Sequence, residues 1–505
     1  MGEKSFRAWT PTQAYLLPPS PMDWLPTGHL AFFILEVAEE LDLSKIEENI
    51  RQKDPRGEPP YAPRMMTALF LYGYSVGVYS SRRIARGTHE DVAFRVIAGG
   101  EHPHFTTINQ FRLDHREALA GLFVQVLQLC RCAGLVKLGH VALDGTKIKA
   151  AASKHKAMSY QRMNQDEARL HAEVQELLRR AEQTDKEEDQ RYGEGQEEQD
   201  LPAELARREQ RLERIRAAKA ELEKEAAEAR ATELRELAKG QRAKADDESV
   251  TPDERKRAQT RAQKSEQQAA TLAPETEKKR DEAEASQQDL PLHQVASEPD
   301  GKPKPGAQRN FTDPDSRIMV KDGAYIQAYN AQIVVDAASQ VIIAQGVSNQ
   351  PPDQQYLEPM VERMLGICEQ TPEALLADSG YFSQHNIEHL QHRNLDPYIA
   401  VGREGTTAAL PTEASTPTQR LKTSMGEKLS KGKGKIVYSR RKVIVEPVFG
   451  QIEQARGFRR FSQRGHGKVR CEWAVVCLTH NLLKLFRHLA GGSQTARRSF
   501  ATSTG

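Results

Sequence analysis

Two short stretches, Val141-Ala142-Leu143-Asp144-Gly145 and Leu375-Leu376-Ala377-Asp378-Ser379-Gly380, decide how this chain is read. Each is an apolar run that ends in an aspartate, with glycine one or two positions later. Such a continuous run predicts a strand buried on both faces, as in parallel sheets. The carboxylate then emerges at the carboxyl end of the strand, where open α/β sheets place their sites. Aspartate before glycine is, by itself, an ordinary turn residue. Two of them, each ending a predicted central strand, favour a pair of carboxylates at one edge of a sheet.

The surrounding pattern supports an α/β core. Residues 325–337 and 340–347 are strand-like and predict a hairpin. Leu357, Met360, Val361, Met364, Leu365 and Cys368 fall at helical spacing within 353–368. A short strand is expected at 374–377, a helix at 384–392 and a strand at 398–401. A basic loop over 402–440 then leads into a helix at about 444–456, and 472–490 is a largely apolar last helix carrying Trp473. A third acid, Glu446, stands alone among apolar residues in Val443-Ile444-Val445-Glu446-Pro447-Val448-Phe449. Read by itself, it is equally a counter-ion for Arg440, Arg441 or Lys442.

The rest of the 505 residues divides by composition. Residues 1–62 are proline-rich and read as irregular. Residues 63–135 read as a helical domain, either a DNA-binding module or a bundle that only packs. Residues 136–154 open the core. Residues 155–290 are a charged helical insertion: between 201 and 250, 12 acidic and 12 basic side chains surround a broken seam at Leu205, Leu212, Ile215, Leu222 and Ala226. A shorter seam at Leu170, Val174 and Leu177 precedes a polar turn at 185–199, so two long helices in a hairpin or coiled coil are expected. Residues 291–312 read as a flexible linker, 313–490 as the remainder of the core, and 491–505 as a disordered tail.

The net charge of +2 conceals a strong asymmetry. From Arg420 to Arg470 there are 15 Lys/Arg against Glu427, Glu446 and Glu453, which implies a surface made for a polyanion. No run of ~18 apolar residues is present, which excludes a spanning helix, and the N-terminus lacks a signal layout. The five cysteines have neither disulfide-framework nor zinc spacing and are expected to be reduced and mostly buried. Asp313-Pro314-Asp315-Ser316-Arg317 lacks the glycine and terminal glutamate of a calcium loop. Lys431-Gly432-Lys433-Gly434-Lys435 lacks the spacing of a P-loop and reads as a mobile basic loop.

Three carboxylates brought together repel one another and resist joint ionisation. A divalent cation relieves this, and hard oxygen ligands suit Mg²⁺ or Mn²⁺. Two ions about 3.5–4 Å apart clamp the attacking and leaving oxygens of a phosphoryl displacement. With a phosphate-binding surface adjacent, the combination points to a nuclease or a strand-transfer enzyme.

The same residues resemble a family, the bacterial insertion-sequence transposases of the DDE type. The matching pieces are His140-Val141-Ala142-Leu143-Asp144-Gly145-Thr146, Ala377-Asp378-Ser379-Gly380-Tyr381-Phe382 and Val445-Glu446-Pro447-Val448-Phe449-Gly450-Gln451-Ile452. Arg456-Gly457-Phe458-Arg459-Arg460-Phe461, His480-Asn481-Leu482 and Gly77-Val78-Tyr79-Ser80-Ser81-Arg82 match as well. The resemblance implies a ribonuclease-H-like core, a mixed sheet flanked by helices, behind an N-terminal helical transposase domain. It implies Asp144, Asp378 and Glu446 as catalytic residues holding two Mg²⁺ (or Mn²⁺) ions. Tyr438, Arg441, Lys442, Arg456, Arg459, Arg460, Arg464 and Lys468 are the expected DNA contacts. The implied partners are the element's terminal repeats and target DNA, with a homodimer in synapsis, in the bacterial cytoplasm on the nucleoid. Relatives often carry Tyr, Arg, Glu and Lys around the third carboxylate. Here Arg441 lies one residue further from Glu446 than that pattern has it, and Glu453 stands in the lysine position. Two other readings remain: a nuclease of the same core that cuts without joining, and a catalytically silent DNA-binding scaffold.

Overall fold

The apolar run at 141–143 forms the middle of strand β1 (His140–Lys149), the central strand of a six-stranded sheet. In the computed structural model, residues 20–52, 59–192, 203–247, 249–273, 290–368, 370–402 and 416–491 are described. The other strands of this sheet are β4 (Arg317–Lys321), β5 (Ala324–Asp336), β6 (Ile342–Ser348), β7 (Ala374–Ala377) and β8 (Asp396–Ile399). β7 lies parallel to β1 and β8 parallel to β7, whereas β5 is antiparallel to β1. β4 and β6 share the other edge of β5. Three parallel strands continued by an antiparallel group is the mixed sheet expected of a ribonuclease-H-like core. Val141, Ala142, Leu143, Leu375, Leu376 and Ala377 are fully buried, which explains why neither run alternates with polar residues.

Helices α11 (Leu357–Cys368), α12 (Gln384–His392), α13 (Pro417–Ser430) and α14 (Gly432–Phe449) complete this core. α14 packs over β1, β7 and β8 and buries Val437, Ile444, Val445 and Val448. The described part of the expected basic loop is therefore two helices, with 403–415 outside the described residues. α13 starts on a capping box, Thr416 with Gln419. The two glycines that read as a loop serve a left-handed backbone position and a close approach instead. Gly432 takes a φ of +56°, and a Cβ on Gly434 would run into the Lys428 carbonyl oxygen. Trp473 is fully buried, donates its indole N–H to the Gln332 carbonyl at 3.3 Å and packs beside Phe458.

The charged insertion is helical but holds three helices rather than two: α8 (Tyr160–Tyr192), α9 (Ala203–Asp246) and α10 (Pro252–Leu272). α8 runs through the first half of the expected turn at 185–199; the second half lies outside the described residues. Met163, Leu170, Leu212, Ile215, Leu222 and Ala226 share one cluster, so α8 packs along the first half of α9. Ala231, Leu234 and Ala269 form a second where α10 takes over. The expected linker is also corrected. Val295 packs into the first cluster, Leu290 is buried, and β3 (Gln308–Asn310) pairs antiparallel with β2 (Ala157–Ser159). Its Pro/Gly content marks tight turns, not freedom.

The chain divides into two compact units, residues 136–474 and a helical unit of residues 1–135 with 475–505. The latter contains α1 (Leu30–Glu40), α2 (Ser44–Arg51), α3 (Pro63–Ser75), α4 (Ser81–Glu90), α5 (Val92–Ile97), α6 (Phe105–Asp114) and α7 (Arg116–Cys132). The reading of 1–62 as irregular is thus corrected. Phe33, Ile34, Val37 and Ala38 recur at helical spacing and are buried, while the nearby prolines precede the helix. The last helix, α15 (His466–Gly491), starts six residues before its expected position. Within the helical unit, Phe33 meets Phe486 and the Cys130 thiol faces the Asn481 carbonyl. Four of the five cysteines are buried and all five are free thiols. The expected tail at 491–505 lies almost wholly outside the described residues. No helix among the described residues is long and apolar enough to cross a membrane.

Candidate active site

Strand register brings the two aspartates together. Ala142 on β1 is aligned with Leu376 on β7. Asp144 lies two residues further along β1 and Asp378 two residues after Leu376, one past the end of β7, close enough for the two charges to act on each other. Neighbouring strands are only about 4.8 Å apart. Burial raises the Asp144 pKa to about 6, with Arg441 opposing the shift and Asp378 adding to it. Asp378 is also raised, again chiefly by burial, against the Gly380 N–H and Arg441. Each aspartate accepts a nearby backbone amide, Asp144 within β1 and Asp378 as the cap of the turn Ser379–Tyr381. Asp144 Oδ1 accepts the Gly145 N–H at 2.8 Å, and Asp378 Oδ1 accepts that of Gly380 at 2.9 Å.

The sign of the Asp144 shift fixes a stability trend. The native state retains a proton that the unfolded chain releases near 3.8, so this carboxyl's contribution weakens as pH climbs from about 4 to about 6. Urea midpoints of metal-free protein are expected to fall across that window, and less steeply in Asp144→Asn. Equal slopes would mean that Asp144 titrates normally.

Arg441 reaches the pair from α14, its Nη1 donating to Asp144 Oδ2 at 2.9 Å, with both side chains largely buried. Glu446 lies five residues further along α14, a rotation of about 140° from Arg441, and is exposed. Among the described residues, no three His, Cys, Asp or Glu side chains are gathered closely enough to hold an ion. What is assembled is the aspartate pair, two hard-oxygen donors of the kind that bind Mg²⁺ together with water and substrate phosphate. Glu446 is the carboxylate that would have to join them.

A straight α-helix would place Glu446 and Glu453 on one face. The helix does not stay regular, because Gly450–Ala455 is a π segment whose wider turn rotates the following residues. Glu453 consequently faces β1 and β4. It accepts the Thr146 hydroxyl at 2.7 Å and pairs with Lys321 at 2.6 Å. A cation thus lies near Thr146 although the expected lysine is replaced, and it comes from β4. Lys321→Met and Glu453→Gln are expected to couple by about 1–2 kcal/mol in a double-mutant cycle on thermal stability. Additive effects would show that the pair contributes nothing.

The chain matches two family models: a transposase DDE domain over residues 302–482 and a transposase domain over residues 20–114. The chain belongs to the DDE transposases. No curated protein and no solved structure matches it. The DDE match takes in Asp378 and Glu446, while β1 with Asp144 precedes it, separated by the helical insertion of this transposase.

The transposase's basic stretch is partitioned by the fold. Arg441 and Arg456 are buried, so of the eight expected DNA contacts these two are inside. In Arg456-Gly457-Phe458-Arg459-Arg460-Phe461 the phenylalanines enter the core and Arg459 and Arg460 stay exposed. Arg460 and Arg464 donate to the carbonyls of Ala150 and Ala151 just beyond β1. Lys442 and Lys468 are exposed, and Tyr438 is partly buried. Tyr381 is fully buried, while Phe382 is partly exposed with Lys422 beside its ring.

Sequence reading missed the support on the opposite face of the sheet. Asp353 accepts Lys147 through both oxygens, at 3.0 and 3.1 Å, and also accepts the side-chain amides of Asn330 and Gln332. Gln332 in turn accepts the Tyr381 hydroxyl, three residues past Asp378. Gln332 lies against Gly145, where a Cβ would collide with its amide. This network fixes both the glycine after the first aspartate and the turn after the second. Its one sequence signal is Lys147, a cation inside a strand.

Proposed function

We propose that this transposase hydrolyses phosphodiester bonds at the ends of its element and joins the freed 3′ ends to target DNA. Asp144, Asp378 and Glu446 form its catalytic set. The observation that supports this reading is the parallel pairing of β1 with β7, next to whose ends Asp144 and Asp378 lie close enough to act on each other electrostatically. Two divalent ions, when bound, would supply Lewis acidity at the scissile phosphate and relieve the repulsion between carboxylates. The protein's own contribution is to orient the aspartates through the Gly145 and Gly380 amides. The buried Gln332–Tyr381 contact supports the second aspartate from behind. Exposed cations at Lys442, Arg459 and Lys468 suit a DNA backbone, and the protein would act in the cytoplasm on the nucleoid, as a dimer when it pairs two ends.

The test uses DNA carrying the element's own ends, with and without Mg²⁺ or Mn²⁺. Metal-dependent cleavage followed by joined product supports the proposal. Cleavage without joining would leave a nuclease, and binding without metal-dependent chemistry a scaffold. Arg459→Ala and Lys468→Ala are each expected to weaken binding to all DNA sequences and to lower the salt slope by about 1. An unaltered slope would place that side chain off the DNA.

A further inference from the structure

Arg441 occupies the carboxylate that an ion would need. Of the two Asp144 oxygens, Oδ1 is held by the Gly145 amide next to it on β1 and Oδ2 by the Arg441 guanidinium. An incoming cation meets a carboxylate whose two oxygens are both engaged, and only the guanidinium belongs to a side chain that can leave. Arg441 sits between Arg440 and Lys442, both exposed on α14. A duplex drawn to those two side chains would bring phosphate oxygens to the helix that carries the guanidinium. Guanidinium binds phosphate through the same paired N–H geometry that it offers a carboxylate. DNA and ion therefore act in the same direction, one attracting Arg441 and the other attracting Asp144.

We propose that Arg441 is a gate on the ion site: it neutralises Asp144 in the free protein, and DNA phosphate draws it away so that ion binding and DNA binding favour each other. The inference rests on the reading of Asp144 as an ion ligand. Exchange of partners leaves no charge stranded, whereas simple rupture would leave a buried carboxylate unpaired. Coupling of this kind is reciprocal, so a gate that loosens ion binding without DNA must also loosen DNA binding without ion. The device would keep the protein from assembling a loaded site away from DNA.

The experiment measures Mn²⁺ binding to the full chain by electron paramagnetic resonance, with and without a duplex carrying an element end. Asp144→Asn with the same duplex supplies the background. Arg441→Gln is expected to bind Mn²⁺ at least tenfold more tightly than wild type without DNA, and to lose most of the gain that DNA gives wild type. Equal affinity of Arg441→Gln and wild type, with the site lost in Asp144→Asn, overturns the gate and leaves the ion site standing. Unchanged binding in Asp144→Asn overturns the ion site, and the gate with it. A second measurement needs no variant. Phenylglyoxal labelling of Arg441 in wild type, read by peptide mass spectrometry, is expected to rise at least threefold on adding saturating Mg²⁺. Labelling that stays constant while Mg²⁺ shifts the melting temperature overturns the gate.

Discussion

Asp144→Asn and Asp378→Asn each reduce metal-dependent cleavage of element-end DNA by at least about 10³-fold, the scale lost when a central electrostatic group is removed. Binding of the same DNA should change little, because both aspartates sit on the sheet beneath α14 and not among the exposed cations. Glu446→Gln should lose as much cleavage with no change in melting temperature, since this side chain is exposed. The contrast is informative. A defect at Glu446 without loss of stability identifies a third ligand, whereas full cleavage by Glu446→Gln would remove it from the set. Full cleavage by either aspartate variant would dissolve the site itself.

Trp473→Ala lowers stability by about 3–5 kcal/mol, the cost of deleting a large buried aromatic. Trp473 is fully buried, packs beside Phe458, and donates to the carbonyl of Gln332. Phe458 meets Phe461, which meets Tyr329 on β5, so the loss falls on a chain of aromatic contacts at the sheet. A drop on the order of 10 °C in the main melting transition is expected. Because the Gln332 side chain also braces Tyr381, cleavage should weaken at temperatures where the protein is still folded. A shift of only 1–2 °C would mean that the cavity collapses and that the tryptophan is not a keystone.

The aspartate pair was legible because burial on both faces leaves an uninterrupted apolar run and the charge comes directly after it; that β1 continues through Asp144 to Lys149, so that only Asp378 lies past its strand, was not legible. The other strands of the core were legible from their strand-like composition, except β4 (Arg317–Lys321), where no strand was expected. What could not be read was partition within the basic stretch. Arg441, Arg456 and Arg459 look alike in sequence, yet two are buried and one is exposed, because that depends on which face of α14 and which side of the following turn meets the sheet. The π segment at Gly450–Ala455 was also hidden, since nothing in Gly450-Gln451-Ile452-Glu453 departs from helical spacing. Asp353 escaped because its partners come from two different strands, Lys147 from β1 over two hundred residues earlier and Asn330 and Gln332 from β5. The helix Gly432–Phe449 was obscured by its glycines, of which Gly434 serves a contact with Lys428 that exists only once α13 is in place.

The short ribbon between Ala157–Ser159 and Gln308–Asn310 has a consequence for how the chain reaches this state. β1 leaves the ribosome well over a hundred residues before β5 and β7, its two neighbours in the sheet. Closing so long a loop at random is slow. If α8, α9 and α10 assemble first, the ribbon ties the two ends of their bundle together and most of that distance disappears. The insertion then acts as a built-in splint, and shortening it would be felt first in the yield of refolded protein.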